Sequence, residues 1–302
     1  MNATIGFIGL GNMGGRMAVR LRGAGYTVKG YDIRPELADR LGLTAATAAA
    51  DVCEAEMVLL SLPDSSVIEQ VILGPGGVRD AARPGLVVVD LSTAEPSSTR
   101  KLHGILAERG VDYLDAAVSG GPAGAAAGTL TIMVGGEPLV LERVRPVLEV
   151  LGKRIYYMGG PGNGHATKAV NNFLNGMSLA ATAEAMVVGV KAGLDPSQLL
   201  EVLNASSGRS YATEFRFPRI LKGDYLEGGL SNALMAKDLD VYNALARQVR
   251  APSLLGEVCR SVFAIAIGTG YADKVSNTIV DVLGNLAGGV RIQPPSSKGP
   301  GR

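Results

Sequence analysis

A glycine-rich stretch near the start of the chain has the spacing of a phosphate-binding turn. Gly9, Gly11 and Gly14 follow an apolar run and precede an amphipathic segment, which predicts a strand, a tight turn and a helix. The first glycine permits the turn, the second lets the backbone approach a pyrophosphate, and the third lets helix and strand pack closely. The N–H groups at the start of the helix then favour an anion. A strand–helix unit without any ligand is the alternative.

A carboxylate further along the chain extends this pattern. A second apolar run ends at Asp32, about twenty residues past the glycines, where an acidic side chain would bind the ribose hydroxyls of a dinucleotide. The carboxylate favours NAD because it would repel the 2′-phosphate of NADP, and Arg34 would partly offset that repulsion, so NADP use stays open. The predicted cofactor contacts in this region are Gly9, Leu10, Gly11, Asn12, Met13, Gly14, Asp32 and Arg34.

Polar side chains of a different kind open a long apolar segment in the middle of the chain. Lys168 and Asn172 are four residues apart and therefore share one helix face. A lysine that is partly desolvated near the positive end of a helix has a lowered pKa, so it can exchange a proton with an alcohol or carbonyl oxygen near neutral pH. Asn172 would orient that lysine or bond a substrate. A solvated surface lysine is the alternative that the spacing leaves open.

Three further groups lie at or just after the ends of predicted strands. They are Leu62, Pro63 and Asp64, then Ser92 and Thr93, then Ser119, Gly120 and Gly121. The first group would border a cofactor or form a plain turn. The two hydroxyls would bond a nicotinamide or a substrate oxygen, or cap the helix that begins near Pro96. The Gly-Gly turn would present backbone N–H groups to a carboxylate, or serve only as a tight connection.

The elements that must position these groups alternate between strand and helix in the first half of the chain. Short apolar runs rich in Val, Ile and Leu predict strands at 4–9, 27–32, 57–62, 87–90, 113–117, 130–134 and 154–158. Because helical segments lie between most of them, the fold class is an α/β Rossmann domain with a doubly wound, mostly parallel sheet. Ligands bind such sheets at the carboxyl ends of the strands, where the polar groups fall.

The pattern changes at a glycine–proline cluster over 159–162. Beyond it the periodicity is helical, starting with a long Ala-rich helix over 163–192, and no strand pattern returns. We therefore predict a Rossmann domain over 1–162 and an all-α C-terminal domain over 163–292, joined by the long interdomain helix. The remaining residues, 293–302, read as a disordered tail. The start of the long helix falls at the domain junction, and clefts between domains are common small-molecule sites.

Composition excludes several classes of partner. The chain has 302 residues and a net charge of +1, with no basic stripe and no Trp, so we predict no nucleic-acid partner. Ser178, Thr182 and Glu184 interrupt the most apolar run, so we also predict no membrane span. Only two histidines are present, and their positions suggest neither a metal site nor a catalytic triad.

Two further expectations concern assembly and location. The long helix is apolar on most sides over 180–190 and needs cover on most sides, which favours a homodimer or homotetramer. A core helix within one chain is the alternative. No basic leader precedes the first strand, and the two distant cysteines fit a reducing compartment, so we predict a cytoplasmic protein.

In this order, the groups resemble the β-hydroxyacid dehydrogenase family, the relatives of 3-hydroxyisobutyrate dehydrogenase. The resemblance extends from Gly6 to about Ala287 and rests on residues 6–14, 90–93, 115–121 with 128–130, 162–172 and 237–239. It implies reversible oxidation of a small 3-hydroxy acid, 3-hydroxyisobutyrate-like or a sugar acid, by NAD, with NADP as the alternative cofactor. It also implies a C-terminal domain like that of 6-phosphogluconate dehydrogenase. Ala117 stands where such proteins usually carry proline, and we expect only a local backbone effect.

The same resemblance implies roles for individual residues. Lys168 would be the general acid/base and Asn172 its assistant. Ser119, Gly120 and Gly121 would hold the substrate carboxylate, with Thr93 and Lys237 beside the substrate. Leu62, Pro63, Ser92, Thr93 and Lys237 would border the cofactor. The alternatives are a reductase of small semialdehydes or glyoxylate, an imine reductase on the same fold, and a non-catalytic NAD-binding module. Imine reductases generally lack the lysine, so Lys168 argues against that alternative.

Overall fold

Two units, Met1–Ala169 and Val170–Arg302, make up the computed structural model, which describes residues 3–226 and 229–293. The division falls a few residues after the predicted boundary at 162, inside the long helix that the sequence predicts. The predicted tail over 293–302 lies, except for Gln293, outside the described residues.

An eight-stranded sheet forms the frame of the first unit. Its strands are β1 (Thr4–Ile8), β2 (Thr27–Tyr31), β3 (Thr44–Ala45), β4 (Met57–Leu60), β5 (Val87–Asp90), β6 (Asp112–Ser119), β7 (Leu130–Gly135) and β8 (Gly152–Tyr157). Their order is β3-β2-β1-β4-β5-β6-β7-β8, and every neighbouring pair is parallel except β6 and β7. β2 and β3 lie on one side of β1, and β4 and the later strands lie on the other. The strand order therefore reverses next to β1, which is the switch point where such folds bind ligands.

Helices cover both faces of this sheet. They are α1 (Gly14–Gly23), α2 (Glu36–Arg40), α3 (Ser65–Leu73), α4 (Val78–Ala81), α5 (Pro96–Ala107), α6 (Gly121–Ala127) and α7 (Pro138–Leu151). One apolar core joins α1, α6 and α7 to the sheet, and a second core joins α3 and α5 to it. The strands are therefore apolar on both faces, as a parallel sheet buried between helix layers requires.

The second unit is helical. The chain enters it through α8 (Asn163–Lys191), followed by α9 (Pro196–Ala205), α10 (Phe217–Leu221), α11 (Asn232–Gln248), α12 (Leu254–Ala266) and α13 (Ile279–Leu286). Its core collects large apolar side chains from α8, α10, α11 and α12, including Met186, Phe217, Met235 and Phe263. Strand-like pairing in its described residues is limited to an isolated bridge between Ser231 and Val275.

Two helices are long and apolar enough to cross a bilayer by length and composition alone, Asn163–Lys191 and Leu254–Tyr271. Ser178, Thr182 and Glu184 interrupt the first of these helices, and the absence of a membrane span stays a prediction. The core helix of a globular unit has the same length and apolar composition. Leu179, Ala183 and Met186 of α8 do lie in the core of the second unit. The predicted cytoplasmic location stays a prediction.

Candidate functional site

The glycine turn after β1 has three distinct glycine environments. Gly9 has φ +90°, a conformation that side chains rarely adopt, and its N–H donates to the carbonyl oxygen of Tyr31 at 2.9 Å. A Cβ at Gly14 would overlap the carbonyl oxygen of Gly9, so α1 packs directly on the turn. A Cβ at Gly11 would instead enter open space, where the nearest atom is Arg34 Nη2 at 3.9 Å.

Asp32 ties this turn to the end of β2. Its Oδ2 accepts a hydrogen bond from the Leu10 N–H at 2.8 Å. Its Oδ1 accepts from the Arg34 N–H at 3.0 Å and lies 3.3 Å from Arg34 Nε. The carboxylate therefore holds the backbone of the turn, and an exposed guanidinium lies beside it.

This arrangement fits a dinucleotide. The open space above Gly11 leaves room for a pyrophosphate. The first turn of α1 offers N–H groups that have no partner within the helix. Asp32 and Arg34 put a carboxylate and a cation side by side, which matches the ribose of NAD and leaves NADP possible.

The loops after β4 and β5 are joined by a serine. Ser92 Oγ accepts from the Leu62 N–H at 2.9 Å, and the Ser92 N–H donates to Asp90 Oδ1 at 3.0 Å. The helix-capping alternative for Ser92 is therefore wrong, since α5 starts at Pro96 with Glu95 at its cap position. Ser92 instead fixes two loops at the carboxyl edge of the sheet.

The predicted carboxylate-binding turn lies between β6 and α6. Ser119 ends β6, and α6 begins at Gly121. Gly120 and Gly121 have φ of +132° and +63°, so both positions require glycine for conformational reasons. The sequence signal here is correct about the tight turn, and its binding role stays a prediction.

A buried carboxylate holds the start of α8. Asp115 Oδ1 accepts from the Gly162 N–H at 2.8 Å, and Oδ2 accepts from the His165 N–H at 2.9 Å. Gly164 must be glycine, because a Cβ there would overlap the carbonyl oxygen of Met133. Asp115 thus accepts hydrogen bonds from N–H groups at the positive end of α8 that have no partner within the helix. One of these donors, His165, lies three residues before Lys168. Sequence reasoning assigned Asp115 no role, although a charged residue inside an apolar strand was an available signal.

A second buried polar cluster lies beside it. His165 is fully buried, with Nδ1 at 2.7 Å from Thr99 Oγ1 and Nε2 at 3.9 Å from Asp90 Oδ2. The Tyr113 hydroxyl donates to the same Asp90 oxygen at 2.7 Å. Burial, together with the charge of Asp90, raises the pKa of Tyr113 well above its ordinary value. This buried environment, with Nδ1 bonded to Thr99, favours a structural role for His165.

Helix α8 carries the predicted proton-transfer residues. Lys168 is only 9% exposed and Asn172 only 3% exposed. In the second unit, Asn172 Nδ2 donates to Asp238 Oδ2 at 2.6 Å, and Asp238 Oδ1 lies 2.8 Å from Lys237 Nζ. Asn172 and Lys237 are therefore brought together through Asp238. In the sequence, Asp238 was only part of the segment 237–239 that carries the family resemblance.

Two family models match the chain over nearly its whole length. The NAD binding domain of 6-phosphogluconate dehydrogenase matches residues 4–159, and the NAD-binding domain of NADP-dependent 3-hydroxyisobutyrate dehydrogenase matches residues 162–283. The chain belongs to the β-hydroxyacid dehydrogenase family. It is an NAD(P)-dependent enzyme that acts on the hydroxyl group of a hydroxy acid.

Named relatives cover almost all of the chain. A 2-(hydroxymethyl)glutarate dehydrogenase from Eubacterium barkeri is 40% identical over 94% of this chain and 96% of its own length. An NAD-dependent L-serine dehydrogenase from Pseudomonas aeruginosa is 39% identical over 89% of this chain and 94% of its own. The solved Mycobacterium tuberculosis 3-hydroxyisobutyrate dehydrogenase with L-serine is 34% identical at TM-score 0.86, covering 94% of this chain and 99% of that one.

Imine reductases share the fold at greater distance. One from Bacillus cereus is 24% identical at TM-score 0.62, over 93% of this chain and 99% of its own. Identity this low shows the fold alone.

Proposed function

We propose that this enzyme reversibly oxidises a small 3-hydroxy acid, with Lys168 as the general acid/base. The observation that carries the proposal is the arrangement on α8. A buried lysine lies one turn before Asn172, whose amide is fixed by Asp238. Asp115 holds the helix start that positions both. A general acid/base needs such a constrained, desolvated position within reach of its substrate.

In the proposed mechanism, Lys168 Nζ accepts the proton of the substrate hydroxyl in the oxidative direction. In the reverse direction the protonated lysine returns it and stabilises the developing negative charge on oxygen. Asn172 orients the hydroxyl, and its own orientation is fixed because Nδ2 donates to Asp238. Bound NAD(P) would supply the hydride acceptor at the glycine turn.

The remaining predicted site residues complete this proposal. The Gly120–Gly121 turn with Ser119 would hold the substrate carboxylate through backbone N–H groups. Ser92, which is already fixed to the Leu62 backbone, and Thr93 would border the nicotinamide, with Pro63 next to Leu62. Lys237, fixed by Asp238, would lie beside the substrate or cofactor.

The relatives' names support the position of the oxidised hydroxyl. The substrates named for three of them are 2-(hydroxymethyl)glutarate, L-serine and 3-hydroxyisobutyrate. All three carry the hydroxyl on the carbon next to the one that bears the carboxylate. We therefore place this chain's substrate in the same chemical class. Semialdehyde reduction is the reverse of the same reaction, whereas imine reduction would not need the lysine.

We also propose that the enzyme works as a homodimer or homotetramer. Helix α8 exposes Val188, and α12 exposes Leu254, which is 79% exposed, together with Leu255 and Val258. A second copy would cover such an apolar surface. Sedimentation of the wild type as a monomer at micromolar concentration would contradict this.

The proposed reaction is tested by initial rates of nicotinamide reduction with a panel of 3-hydroxy acids, each with NAD and with NADP. We expect turnover of at least one acid, with NAD preferred because of Asp32. Lys168→Ala should lower kcat by about a hundredfold or more while NADH binding is kept. The matched control is Lys191→Ala, at the other end of α8, whose ammonium donates to the Ala287 carbonyl oxygen at 2.9 Å. Near-normal turnover in Lys168→Ala would remove the lysine from the mechanism.

A further inference from the structure

Arg216 is a half-buried cation whose described partners are all neutral. It ends a π-helical turn over Ala212–Arg216 in the second unit. Its Nη1 donates to Ser276 Oγ at 3.2 Å and to Asn277 Oδ1 at 3.0 Å, and its Nη2 donates to Asn175 Oδ1 at 3.0 Å. Among the residues that the structure describes, no carboxylate lies within ion-pair distance of this guanidinium.

Neighbouring arginines differ in this respect. Arg209 lies 3.7 Å from a Glu214 oxygen, and Arg219 lies 3.4 Å from an Asp224 oxygen, both at the surface. Arg216 is the most deeply buried of these three arginines, and burial lowers the pKa of its guanidinium. It nevertheless stays protonated, because arginine does not lose its proton in proteins. A desolvated positive charge without a negative partner is unfavourable unless a ligand supplies one.

The guanidinium also keeps hydrogen-bonding capacity. Arginine has five N–H donors, and the three contacts to Asn175, Ser276 and Asn277 use three of them. The other two N–H groups have no acceptor among the described residues. Two N–H groups on one planar fork match the two oxygens of a carboxylate.

The position of Asn175 connects Arg216 with the proposed reaction. Asn175 follows Lys168 by seven residues and Asn172 by three, so the three side chains share one face of α8. The helical rise puts Asn175 about 10 Å along the axis from Lys168. Arg216 is bonded to Asn175 and so lies at the far end of this row of polar side chains.

We infer that Arg216 binds a second anionic group of the substrate, so that the enzyme prefers a 3-hydroxy acid with a carboxylate-bearing arm on carbon 2. This inference rests on the proposed function and narrows its substrate class. One carboxylate is bound near the reacting hydroxyl, and the arm runs along α8 to Arg216. Asn175, Ser276 and Asn277 hold the guanidinium in place without neutralising it, which leaves its charge for the arm.

The inference is tested with two substrates that differ only at the arm. One is 2-(hydroxymethyl)glutarate, which is 3-hydroxypropionate with a carboxyethyl group on carbon 2. In the other, a carboxamide replaces the carboxylate at the end of that carboxyethyl arm. We expect the wild type to prefer the carboxylate in kcat/KM on the order of a hundredfold, as for other desolvated charge pairs. Arg216→Gln should remove that preference by lowering kcat/KM for the carboxylate, while the carboxamide changes within a few-fold. Arg219→Gln, an exposed arginine three residues on, should leave both unchanged.

A structural role for Arg216 gives a different result. If Arg216→Gln keeps its thermal midpoint and NADH affinity but loses activity with both substrates equally, the guanidinium only clamps the helices. If the wild type does not discriminate the two substrates, the inference is wrong, and this outcome needs no variant that folds. Absence of turnover with every hydroxy acid tested, with either cofactor, would instead overturn the proposed function itself.

Discussion

At the scale of single residues, the glycine turn separates what folding needs from what binding needs. Gly14 lies against the carbonyl oxygen of Gly9, so its missing side chain is required by the packing of α1. At Gly11 the structure has room for a methyl group, so folding does not require glycine there. The remaining reason for glycine is the close approach of a ligand to the backbone.

Gly11→Ala should therefore weaken cofactor binding without unfolding the protein. We expect the dissociation constant of NADH to rise more than tenfold, which corresponds to about 1.4 kcal/mol, because the methyl group occupies the space for the pyrophosphate. The thermal midpoint without cofactor should stay within a degree or two of wild type. NADH fluorescence titration and calorimetry measure the two quantities.

Gly160→Ala is the matched control, because a Cβ there meets no atom within 4 Å and the residue lies outside the glycine turn. It should change neither quantity. If Gly11→Ala binds NADH as tightly as this control, the pyrophosphate does not cross the turn at Gly11.

The same scale shows which site residues a sequence can reveal. Lys168 and Asn172 could be predicted because their four-residue spacing is a local helical property. Asp238 and Asp115 could not, since their contacts join residues 66 and 47 positions apart along the chain. For Asp115 the only sequence signal is an acidic residue among apolar neighbours, and Asp238, between Lys237 and Asp240, lacks even that. That signal does not say which donor the carboxylate accepts from.

At the scale of elements, the apolar pattern of the sequence predicted most strands of the sheet but not its shortest strand or the direction of every strand. Seven strands were recognised from their Val, Ile and Leu content. The missed strand, Thr44–Ala45, is two exposed residues long and has no alternation to detect. The antiparallel pairing of β6 with β7 also escapes periodicity, because a strand has the same pattern in either direction. The start of α8 was predicted correctly at residue 163, because a glycine–proline cluster precedes it.

The start of α8 also depends on the buried Asp115, which gives a stability prediction. Asp115→Ala leaves the N–H groups of Gly162 and His165 buried without acceptors. Each unsatisfied group costs about 1–3 kcal/mol, so we expect the free energy of unfolding to fall by about 2–6 kcal/mol. Turnover should fall as well, because Lys168 lies in the second turn of the same helix. Urea titration followed by circular dichroism measures the stability.

Asp195→Ala supplies the comparison for this variant. Asp195 caps α9 through the Gln198 N–H at 2.9 Å, in an exposed position. Water can replace its carboxylate there, so the loss should be about 1 kcal/mol. Equal losses in the two variants would show that Asp115 acts as an ordinary cap and does not anchor α8.

At the scale of the whole molecule, each unit buries its own apolar side chains and contains one buried cysteine. Cys53 lies in a core of the first unit, and Cys259 lies in the core of the second. Burial raises the pKa of Cys53 to about 11 and that of Cys259 to about 12. Because the thiolate is the reactive form, both should resist thiol reagents at pH 8 until their own unit opens.

These two thiols allow unfolding to be measured in each unit separately. The glycine turn, Asp32 and α1 all belong to Met1–Ala169, so NADH should stabilise that unit directly. At about a hundred times its dissociation constant, NADH should add about 2.7 kcal/mol to the opening of Cys53. The urea midpoint for labelling of Cys259 should shift less.

The single-cysteine variants Cys53→Ala and Cys259→Ala assign each labelling curve to one unit. Equal shifts of the two midpoints with NADH would mean that both units unfold in one cooperative step. A larger shift for Cys53 would mean that each core unfolds on its own, since binding energy acts only on the equilibrium that releases the ligand. Loss of the Cys53 shift in Gly11→Ala would then link the cofactor's stabilising effect to the glycine turn itself.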